Sequence, residues 1–262
     1  MPEGHTIHRL ARDHRRLLVG RTVRASSPQG RFAEGAALID GRTLRKTDAY
    51  GKHLFHDYGA GLHLHVHLGL YGAFTTGTLP APEPKGALRL RLETDESWTD
   101  LRGAIVCEVL DRAELRAVLA RLGPDPLRRD AVPALAWERL SRSRVPVAAL
   151  LMDQSVLAGI GNVYRAELLF RHRVDPFLAG NALARQTWNR MWLDLVVLMK
   201  AGVRAGRIVT IERKDRPRGA VTRETSHYVY RRTGRPCRIC GTPVLTRVLV
   251  GRNLFWCPSC QA

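Results

Sequence analysis

Residues 237–260 read CRICGTPVLTRVLVGRNLFWCPSC, and this stretch determines how the C-terminal part of the chain folds. It contains two Cys-x2-Cys pairs separated by sixteen residues, Cys237 with Cys240 and Cys257 with Cys260. The spacing predicts a four-thiolate zinc site, because each pair comes from a tight turn and the intervening hairpin brings the pairs together. Four thiolates leave no position open for water, so one structural zinc ion is predicted. Disulfide bonds are the alternative, and a reducing compartment disfavours them.

The residues between the cysteine pairs are predicted to form a β-hairpin, Thr242–Trp256. Gly251 indicates a turn at its tip, and Arg252 follows that glycine. Because a guanidinium group makes bidentate contacts with phosphate oxygens, a rigid hairpin of this kind would present Arg252 to a phosphate. A solvated surface arginine is the alternative, and the hairpin alone favours it.

The charge of the chain indicates a polyanionic partner. Its 262 residues contain 42 Lys and Arg against 24 Asp and Glu, which gives a formal net charge of +18. Nucleic acid is the first candidate for such a partner, and an anionic membrane surface is the second. No run approaches the ~18–20 apolar residues of a spanning helix. Residues 1–18 also lack the apolar core of a signal peptide, so a cytoplasmic location is expected.

Hydrophobic periodicity divides the chain into a β-rich and a helical part. The length agrees, because 262 residues at roughly 150 residues per domain predict about two domains. Apolar positions from His5 to Leu18 fit a helical stripe. Residues 21–110 read as short strands between Gly- and Pro-rich turns, which is typical of a sandwich or barrel. A helix is predicted over 111–122 and a linker over 123–133, after which the helical period continues until the β-like cysteine region.

A glycine-rich loop, Gly159-Ile-Gly-Asn162, separates two predicted helices. Two glycines allow a tight, partly left-handed turn. The backbone N–H groups of the following helix, together with the Asn162 side chain, would then form an anion site. A simple helix N-cap is the alternative role for Asn162, and this segment alone favours neither.

The N-terminus carries a candidate nucleophile. Removal of Met1 is expected before a proline, and it would leave Pro2 with a free secondary amine whose reference pKa lies near 8. Such an amine condenses with an aldehyde to an iminium, and Glu3 beside it would transfer protons. Alone, a Met-Pro-Glu start is weak evidence of chemistry.

Five motifs follow one another along the chain: Met1-Pro-Glu-Gly, Tyr50-Gly-Lys-His53, His67-Leu-Gly-Leu-Tyr-Gly72, Asp153-Gln154 with Gly159-Ile-Gly-Asn162, and the four-cysteine finger. In this order they resemble the Fpg/Nei DNA glycosylases, and the resemblance spans essentially the whole chain. The Met-Pro-Glu-Gly start and the Leu-Tyr pair, together with the length, point to the endonuclease VIII (Nei) branch.

The resemblance implies an α+β multidomain fold: an N-terminal helix plus β-sandwich, then a helix–two-turn–helix domain with a four-cysteine β-hairpin zinc finger. The implied boundaries are 1–122 for the catalytic sandwich, 123–133 for the linker, 134–225 for the helix–two-turn–helix domain and 226–262 for the finger. It also implies damaged DNA as the partner, no membrane partner, a monomer, and a bacterial cytoplasmic, nucleoid-associated location.

The resemblance further implies a bifunctional DNA glycosylase and AP lyase of base excision repair, acting on oxidised bases, pyrimidines in the first place. Pro2 matches the nucleophile that attacks C1′, and Glu3 the proton-transferring carboxylate. Lys52 matches the lysine that assists β-elimination and contacts phosphate, and Arg252 the finger arginine linked to δ-elimination. Thr6 is a departure, because the family usually carries a second acidic residue there.

For DNA binding, Asn162 matches the asparagine that grips the backbone, and Arg121 a DNA-contacting arginine near the linker. Leu70 and Tyr71 match the wedge that fills the gap left by the flipped base. Gly69 is the second departure, because the best-known Nei pattern has a glutamine there that enters the helix. The wedge is therefore expected to rest mainly on Leu70 and Tyr71, and the opposite-base preference stays open.

Two other interpretations remain open. His63, His65 and His67 share one face of a predicted strand, a spacing that is compatible with a metal site. A non-enzymatic zinc-finger DNA-binding protein would explain the charge and the cysteines but would leave Pro2, Glu3 and Lys52 without a role. The sequence does not determine the preferred lesion or a preference for duplex or single-stranded DNA.

Overall fold

The computed structural model describes residues 2–216, 219–222 and 224–262 of the chain. Met1, whose removal is expected from the sequence, lies outside the described residues. The chain divides into two compact units, Met1–Arg121 and Leu122–Ala262.

In the described part of the N-terminal unit, short strands form two antiparallel sheets. The helices are α1 (Gly4–Leu18), α2 (Ala33–Ile39) and α3 (Arg112–Ala120). The strands are β1 (Thr22–Ser26), β2 (Arg42–Thr43), β3 (Lys46–Tyr50), β4 (His53–Asp57), β5 (His63–His67), β6 (Ala73–Thr78), β7 (Leu88–Glu93), β8 (Ser97–Arg102) and β9 (Val106–Leu110). One sheet has the order β2-β1-β7-β8-β6 and the other the order β3-β4-β5-β9.

The core of this unit lies between the two sheets and α1. Ile7, Ala11 and Leu18 recur at helical spacing on one face of α1 and pack with buried residues of both sheets, such as Leu64 of β5 and Leu90 of β7. The predicted N-terminal helix and β-sandwich are therefore confirmed. The sequence missed α2, because its seven residues bury too few apolar positions to produce a helical period.

The C-terminal unit combines helices with one hairpin. Its helices are α4 (Pro133–Ser141), α5 (Val147–Leu150), α6 (Asn162–Arg171) and α7 (Arg185–Ala205), and its hairpin consists of β10 (Leu245–Leu249) and β11 (Arg252–Trp256). Leu168 of α6, Trp188 and Leu195 of α7, and Leu254 of β11 share one buried cluster. The hairpin is thus part of the hydrophobic core of the helical unit rather than an appendage on its surface.

The beginning of the segment predicted as a linker is packed inside this unit. The Gly123 N–H donates to the Gln154 carbonyl at 2.8 Å, and the Ala158 N–H donates to the Pro124 carbonyl at 3.1 Å. A Cβ at Gly123 would lie 2.4 Å from the Val156 carbonyl oxygen, so only glycine fits this close backbone approach. Residues 123–126 are therefore held by the second unit.

His14 of α1 and His56 of β4 form a buried pair. Nδ1 of His14 lies 3.0 Å from Nε2 of His56, and both side chains are fully buried. The ring of Phe74 contacts His14 edge to face at a centroid distance of 4.7 Å. Burial lowers the pKa of His14 from 6.5 to about 4 and holds the pKa of His56 well below its ordinary value. Both rings are consequently neutral in the folded protein near pH 7.

We expect the free energy of unfolding of the N-terminal unit to fall as the pH is lowered from about 6.5 to about 4. In this window the unfolded chain binds protons at His14 and His56 that the folded chain does not, so lower pH favours unfolding. The loss amounts to about 1.4 kcal/mol per pH unit for each such histidine. Urea unfolding followed by circular dichroism between pH 7 and pH 4.5 measures it.

The matched variant is the double substitution of His14→Leu and His56→Leu, which removes the titrating pair and keeps an apolar core. Its stability should depend less steeply on pH than that of the wild-type chain. A wild-type stability that is flat between pH 6.5 and pH 4.5 would contradict the expectation.

Candidate nucleic-acid interface and zinc centre

The four predicted zinc ligands lie together in the C-terminal unit. The Sγ atoms of Cys237 and Cys260 are 3.9 Å apart and those of Cys240 and Cys257 are 3.4 Å apart. All four ligand atoms lie within 4.8 Å of one another, and none of these cysteines forms a disulfide. Four thiolates around a tetrahedral zinc at 2.3 Å are about 3.8 Å apart, so the donor set fits the ion.

The hairpin held by these cysteines ends in a two-residue turn. Val250 and Gly251 both have positive φ, at 51° and 65°, as the common two-residue hairpin turn requires. Arg252 follows directly as the first residue of β11 and is exposed. Its backbone pairs with Leu249 across the hairpin. The turn predicted at Gly251 is therefore observed, and it projects Arg252 from a short, rigid support.

The start of α6 is fastened to this hairpin by side chains. Gly161 is the N-cap of α6 and Asn162 is its first helical residue. The Asn162 Nδ2 group donates to the Asn253 carbonyl at 2.9 Å, while its Oδ1 accepts from Nη2 of Arg165. The capping role considered for Asn162 is thus wrong, because its side chain reaches the hairpin residue next to Arg252.

Arg165 is a structural residue that the sequence did not identify. It is fully buried, and its Nη1 donates to the Leu249 carbonyl at 3.5 Å while Nη2 reaches the Asn253 carbonyl at the same distance. The available signal was its position three residues after Asn162, which puts both on the same helix face.

A buried carboxylate on α6 holds the segment that leads into the finger. Glu167 is fully buried, and its two oxygens accept the N–H groups of Tyr228 at 2.7 Å, Val229 at 2.8 Å and Tyr230 at 2.8 Å. Hydrogen bonds from consecutive backbone N–H groups satisfy the charge of a buried carboxylate. α6 therefore holds the chain before the first cysteine pair through Glu167, and the hairpin between the two pairs through Asn162 and Arg165.

The glycine-rich loop before α6 is supported by Gln154. Its Oε1 accepts the Gly159 N–H at 3.0 Å, and its Nε2 donates to the Ile160 carbonyl at 3.0 Å. Gly159 has φ of 90°, a conformation that favours glycine. The tight turn predicted for this loop is thus present, with one side chain bonded to both ends of it.

The predicted nucleophile and its carboxylate lie at the start of the N-terminal unit. Pro2 is half-buried, and Glu3 is fully buried as the N-cap of α1. Burial lowers the pKa of His5, in the first turn of α1, to about 4, so this ring adds no charge near pH 7. Lys52 lies in the turn between β3 and β4, where Gly51 has φ of 57°.

Arg121 is exposed at the C-terminal end of α3 in the same unit. Burial lowers the pKa of His53 to about 3, and the nearby positive charges of Arg121 and Lys52 lower it further. Lys52 and Arg121, the predicted DNA-contacting cations of this unit, thus both act on the same neutral ring.

The predicted wedge is a tight turn after β5. The Gly72 N–H donates to the Leu68 carbonyl at 3.0 Å, and the Gly69 N–H donates to Nδ1 of His67 at 3.1 Å. Leu68 is buried, whereas Leu70 and Tyr71 project into solvent from the closed turn. Two apolar side chains are therefore presented outward by a backbone that is held at both ends.

His63, His65 and His67 share one face of β5, as predicted. Nδ1 of His65 is 2.9 Å from Oε1 of Glu108, and its Nε2 is 2.8 Å from Nδ1 of His53. Within residues 2–216, 219–222 and 224–262, the four cysteines form the one group of three or more side chains that could hold a metal ion. The histidine metal site is thus wrong: His65 hydrogen-bonds to His53 and Glu108, and His67 accepts the Gly69 N–H.

The structure sorts the predicted residues into two sets. The C-terminal unit contains Asn162, Arg252 and the zinc ligands, and it joins Asn162 to the neighbour of Arg252 through a hydrogen bond. The N-terminal unit contains the others, which are Pro2, Glu3, Lys52, Gly69, Leu70, Tyr71 and Arg121.

The sandwich with its buried N-terminal carboxylate and the helical unit with its four-cysteine hairpin can be compared with known proteins. Three family models match the chain: the formamidopyrimidine-DNA glycosylase N-terminal domain over residues 1–106, the H2TH domain of the same enzymes over 122–213, and the zinc finger found in FPG and IleRS over 234–262. The chain belongs to the Fpg/Nei family of DNA glycosylases and AP lyases. The matched finger and the cysteine geometry confirm the zinc prediction.

Known relatives cover the full length. The chain is 53% identical to Endonuclease 8 1 of Mycobacterium bovis, with 100% of both chains covered. It is 34% identical to the formamidopyrimidine-DNA glycosylase of Thermus thermophilus, covering 100% of this chain and 98% of the relative. A crystal structure of the Lactococcus lactis enzyme, non-covalently bound to DNA with an AP site, has a TM-score of 0.83 at 20% identity and covers 99% of each chain. The predicted fold class is confirmed.

Within the described ranges, none of the helices is both long and apolar enough to cross a bilayer.

Proposed function

We propose that this chain is a bifunctional base excision repair enzyme that excises oxidised bases, pyrimidines in the first place, and then cleaves the strand by β,δ-elimination. The fully buried Glu3 carboxylate at the start of α1, directly after Pro2, carries the proposal. This carboxylate directly adjoins the predicted amine nucleophile, where base excision and ring opening require a positioned group that transfers protons. The Endonuclease 8 1 relative at 53% identity supports the Nei branch, the branch for which the resemblance implies pyrimidines.

In the proposed reaction the Pro2 nitrogen attacks C1′ of the damaged nucleotide, and the bond from C1′ to the base breaks. Glu3 transfers the protons that ring opening requires. The resulting iminium acidifies the C2′ hydrogens, so loss of one of them expels the 3′ phosphate. A second elimination expels the 5′ phosphate.

Excision from a duplex requires that the nucleotide be flipped and that the flanking phosphates be held. We assign the phosphate contacts to Lys52, Arg121, Asn162 and Arg252. The Asn162 side chain already donates a hydrogen bond to the Asn253 carbonyl. Asn162 would therefore contact a phosphate through its main-chain N–H group, or through its side chain after this hydrogen bond has broken. The exposed Leu70 and Tyr71 would fill the space that the flipped base leaves.

The proposed partner is damaged DNA, bound by a monomer in the bacterial cytoplasm at the nucleoid. The net charge of +18 and the exposed arginines support this partner, and the Lactococcus lactis relative was crystallised on such DNA. A DNA-binding protein without catalysis is the second candidate function, since the zinc hairpin and the charge serve both.

Borohydride trapping separates the two functions. Incubation of the chain with a duplex that carries one abasic site, in the presence of sodium borohydride, should give a covalent protein–DNA complex, because the reductant converts the iminium to a stable amine. An undamaged duplex of the same sequence is the control and should give none. Tight binding of abasic DNA without trapping or cleavage would favour the non-enzymatic function.

A further inference from the structure

Gly69 occupies the position at which a glutamine is expected from the resemblance, and the structure shows what takes up the missing volume. Gly69 has φ of 67°, which disfavours any side chain. A Cβ placed there would lie 2.6 Å from Cγ2 of Ile105 and 3.2 Å from its Cγ1. The side chain of Ile105 therefore occupies the space in which a side chain at position 69 would begin.

The turn that carries Ile105 is fixed against the wedge turn. The Ile105 N–H donates to the His67 carbonyl at 3.0 Å, at the end of β5. Gly103, with φ of 64°, lies against the other side: a Cβ there would be 3.2 Å from the Tyr71 carbonyl oxygen. Residues 103–105 and 69–72 thus form two turns in direct contact, and both are held by backbone hydrogen bonds.

Exposure singles out the same residues. In the described part of the N-terminal unit, the large hydrophobic side chains that are exposed are Tyr71 at 87%, Ile105 at 65%, Leu38 at 49% and Leu70 at 36%. Isolated exposed hydrophobics are ordinary on a protein surface, but a contiguous group indicates a binding site. Three of these four belong to the paired turns, and Leu38 lies on α2.

We propose that Ile105 is the third member of the DNA-inserting wedge, so that this wedge is built from two turns and Ile105 replaces the side chain absent at Gly69. The proposal rests on the proposed function. The ligand of this surface is duplex DNA, and the wedge inserts into its base stack at the lesion. Apolar side chains inserted between base steps keep the duplex open around a flipped nucleotide. Unlike a glutamine amide, the Ile105 side chain offers no hydrogen bond to the opposite base, so it acts by filling space.

A comparison of duplex and single-stranded substrates tests the proposal with Ile105→Ala. A wedge is needed only where a base stack must be held open. The variant should therefore lose kcat/KM on a lesion-containing duplex by about fiftyfold, the order expected when three carbons of buried apolar contact are lost. On the same lesion strand without its complement, kcat/KM should stay at the wild-type value. Leu38→Ala, which shortens an exposed side chain of the same unit outside the paired turns, should change neither.

A second readout reports insertion directly. With 2-aminopurine placed opposite an abasic analogue, binding of the wild-type chain should raise fluorescence by unstacking, and Ile105→Ser should raise it less. Because Ile105 is mostly exposed, both Ile105 variants should melt at the wild-type temperature.

The outcomes are distinct. Unchanged duplex activity in Ile105→Ala, or equal losses on duplex and single strand, overturns the wedge role of Ile105 and leaves the proposed function standing. A wild-type chain that is inactive on every damaged substrate and is not trapped by borohydride overturns the proposed function, and this inference with it.

Discussion

A chain that keeps a residue in front of Pro2 is expected to excise no base and to form no borohydride-trapped complex. An N-terminal extension turns the Pro2 nitrogen into an amide, whose lone pair is delocalised into the carbonyl group and cannot attack C1′. Binding to a duplex with an abasic analogue should be unchanged, because the proposed phosphate contacts are made by other residues. Excision, trapping and binding assays on the same preparation measure the three effects.

Substitutions at the two residues separate their roles. Glu3→Gln keeps the amine but removes the proton-transferring group, so excision should fall by about 10²–10⁴, the range for general acid–base catalysis. Pro2→Gly retains a primary amine and should keep part of the lyase activity. Lys52→Ala is the contrasting variant and should weaken binding as well as cleavage. Normal rates of trapping by the extended chain would show that Pro2 is not the nucleophile.

Loss of the zinc site is expected to remove DNA binding while the N-terminal unit stays folded. Cys257 is fully buried, and the hairpin beside it contributes Leu254 to the core of the helical unit. Metal binding supplies folding free energy to such modules, about 10–16 kcal/mol in zinc-finger peptides, so Cys257→Ser should leave the hairpin and Arg252 without a fixed position. Metal analysis and binding to abasic-analogue DNA measure the two consequences.

Cys107→Ser is the matched control for this experiment. Cys107 lies in β9 of the N-terminal unit, and burial raises the pKa of its thiol to about 12, so it is neither a zinc ligand nor a reactive thiolate. This variant should keep one zinc per chain and normal DNA binding. A Cys257→Ser protein that retains both would contradict the structural role of the metal.

Features encoded by local spacing could be predicted from the sequence. The Cys-x2-Cys pairs predicted the zinc centre, Gly251 the hairpin turn, and the stripe from Ile7 to Leu18 the first helix. Each depends on residues that are neighbours in the chain or separated by one hairpin. The tight turn of the glycine-rich loop could be predicted for the same reason, because the interacting residues Gln154 and Gly159 are only five positions apart.

Features that depend on distant residues could not be predicted. The contacts of Arg165 with Leu249 and Asn253 join positions more than eighty residues apart. Its spacing from Asn162 indicates the helix face that the two share, but not that this face is covered by the hairpin. The Ile105 side chain fills the space beside Gly69 only because β5 and β9 are neighbours in one sheet. Sequence reasoning therefore found Gly69 as a departure but not the residue that compensates for it.

The fastening of α6 to the hairpin has a consequence for the thermodynamics of association. Folding of the C-terminal unit already removes the side-chain rotational freedom of Asn162, Arg165 and Glu167. The contact between Asn162 and Asn253 also fixes the chain next to Arg252. Ordering a side chain on binding costs about 0.5–1.5 kcal/mol, and here that entropy is lost before any ligand arrives. The surface around Arg252 is therefore preorganised. Binding of a ligand there should lose little further conformational entropy of the protein, so its free energy is determined mainly by the contacts that form.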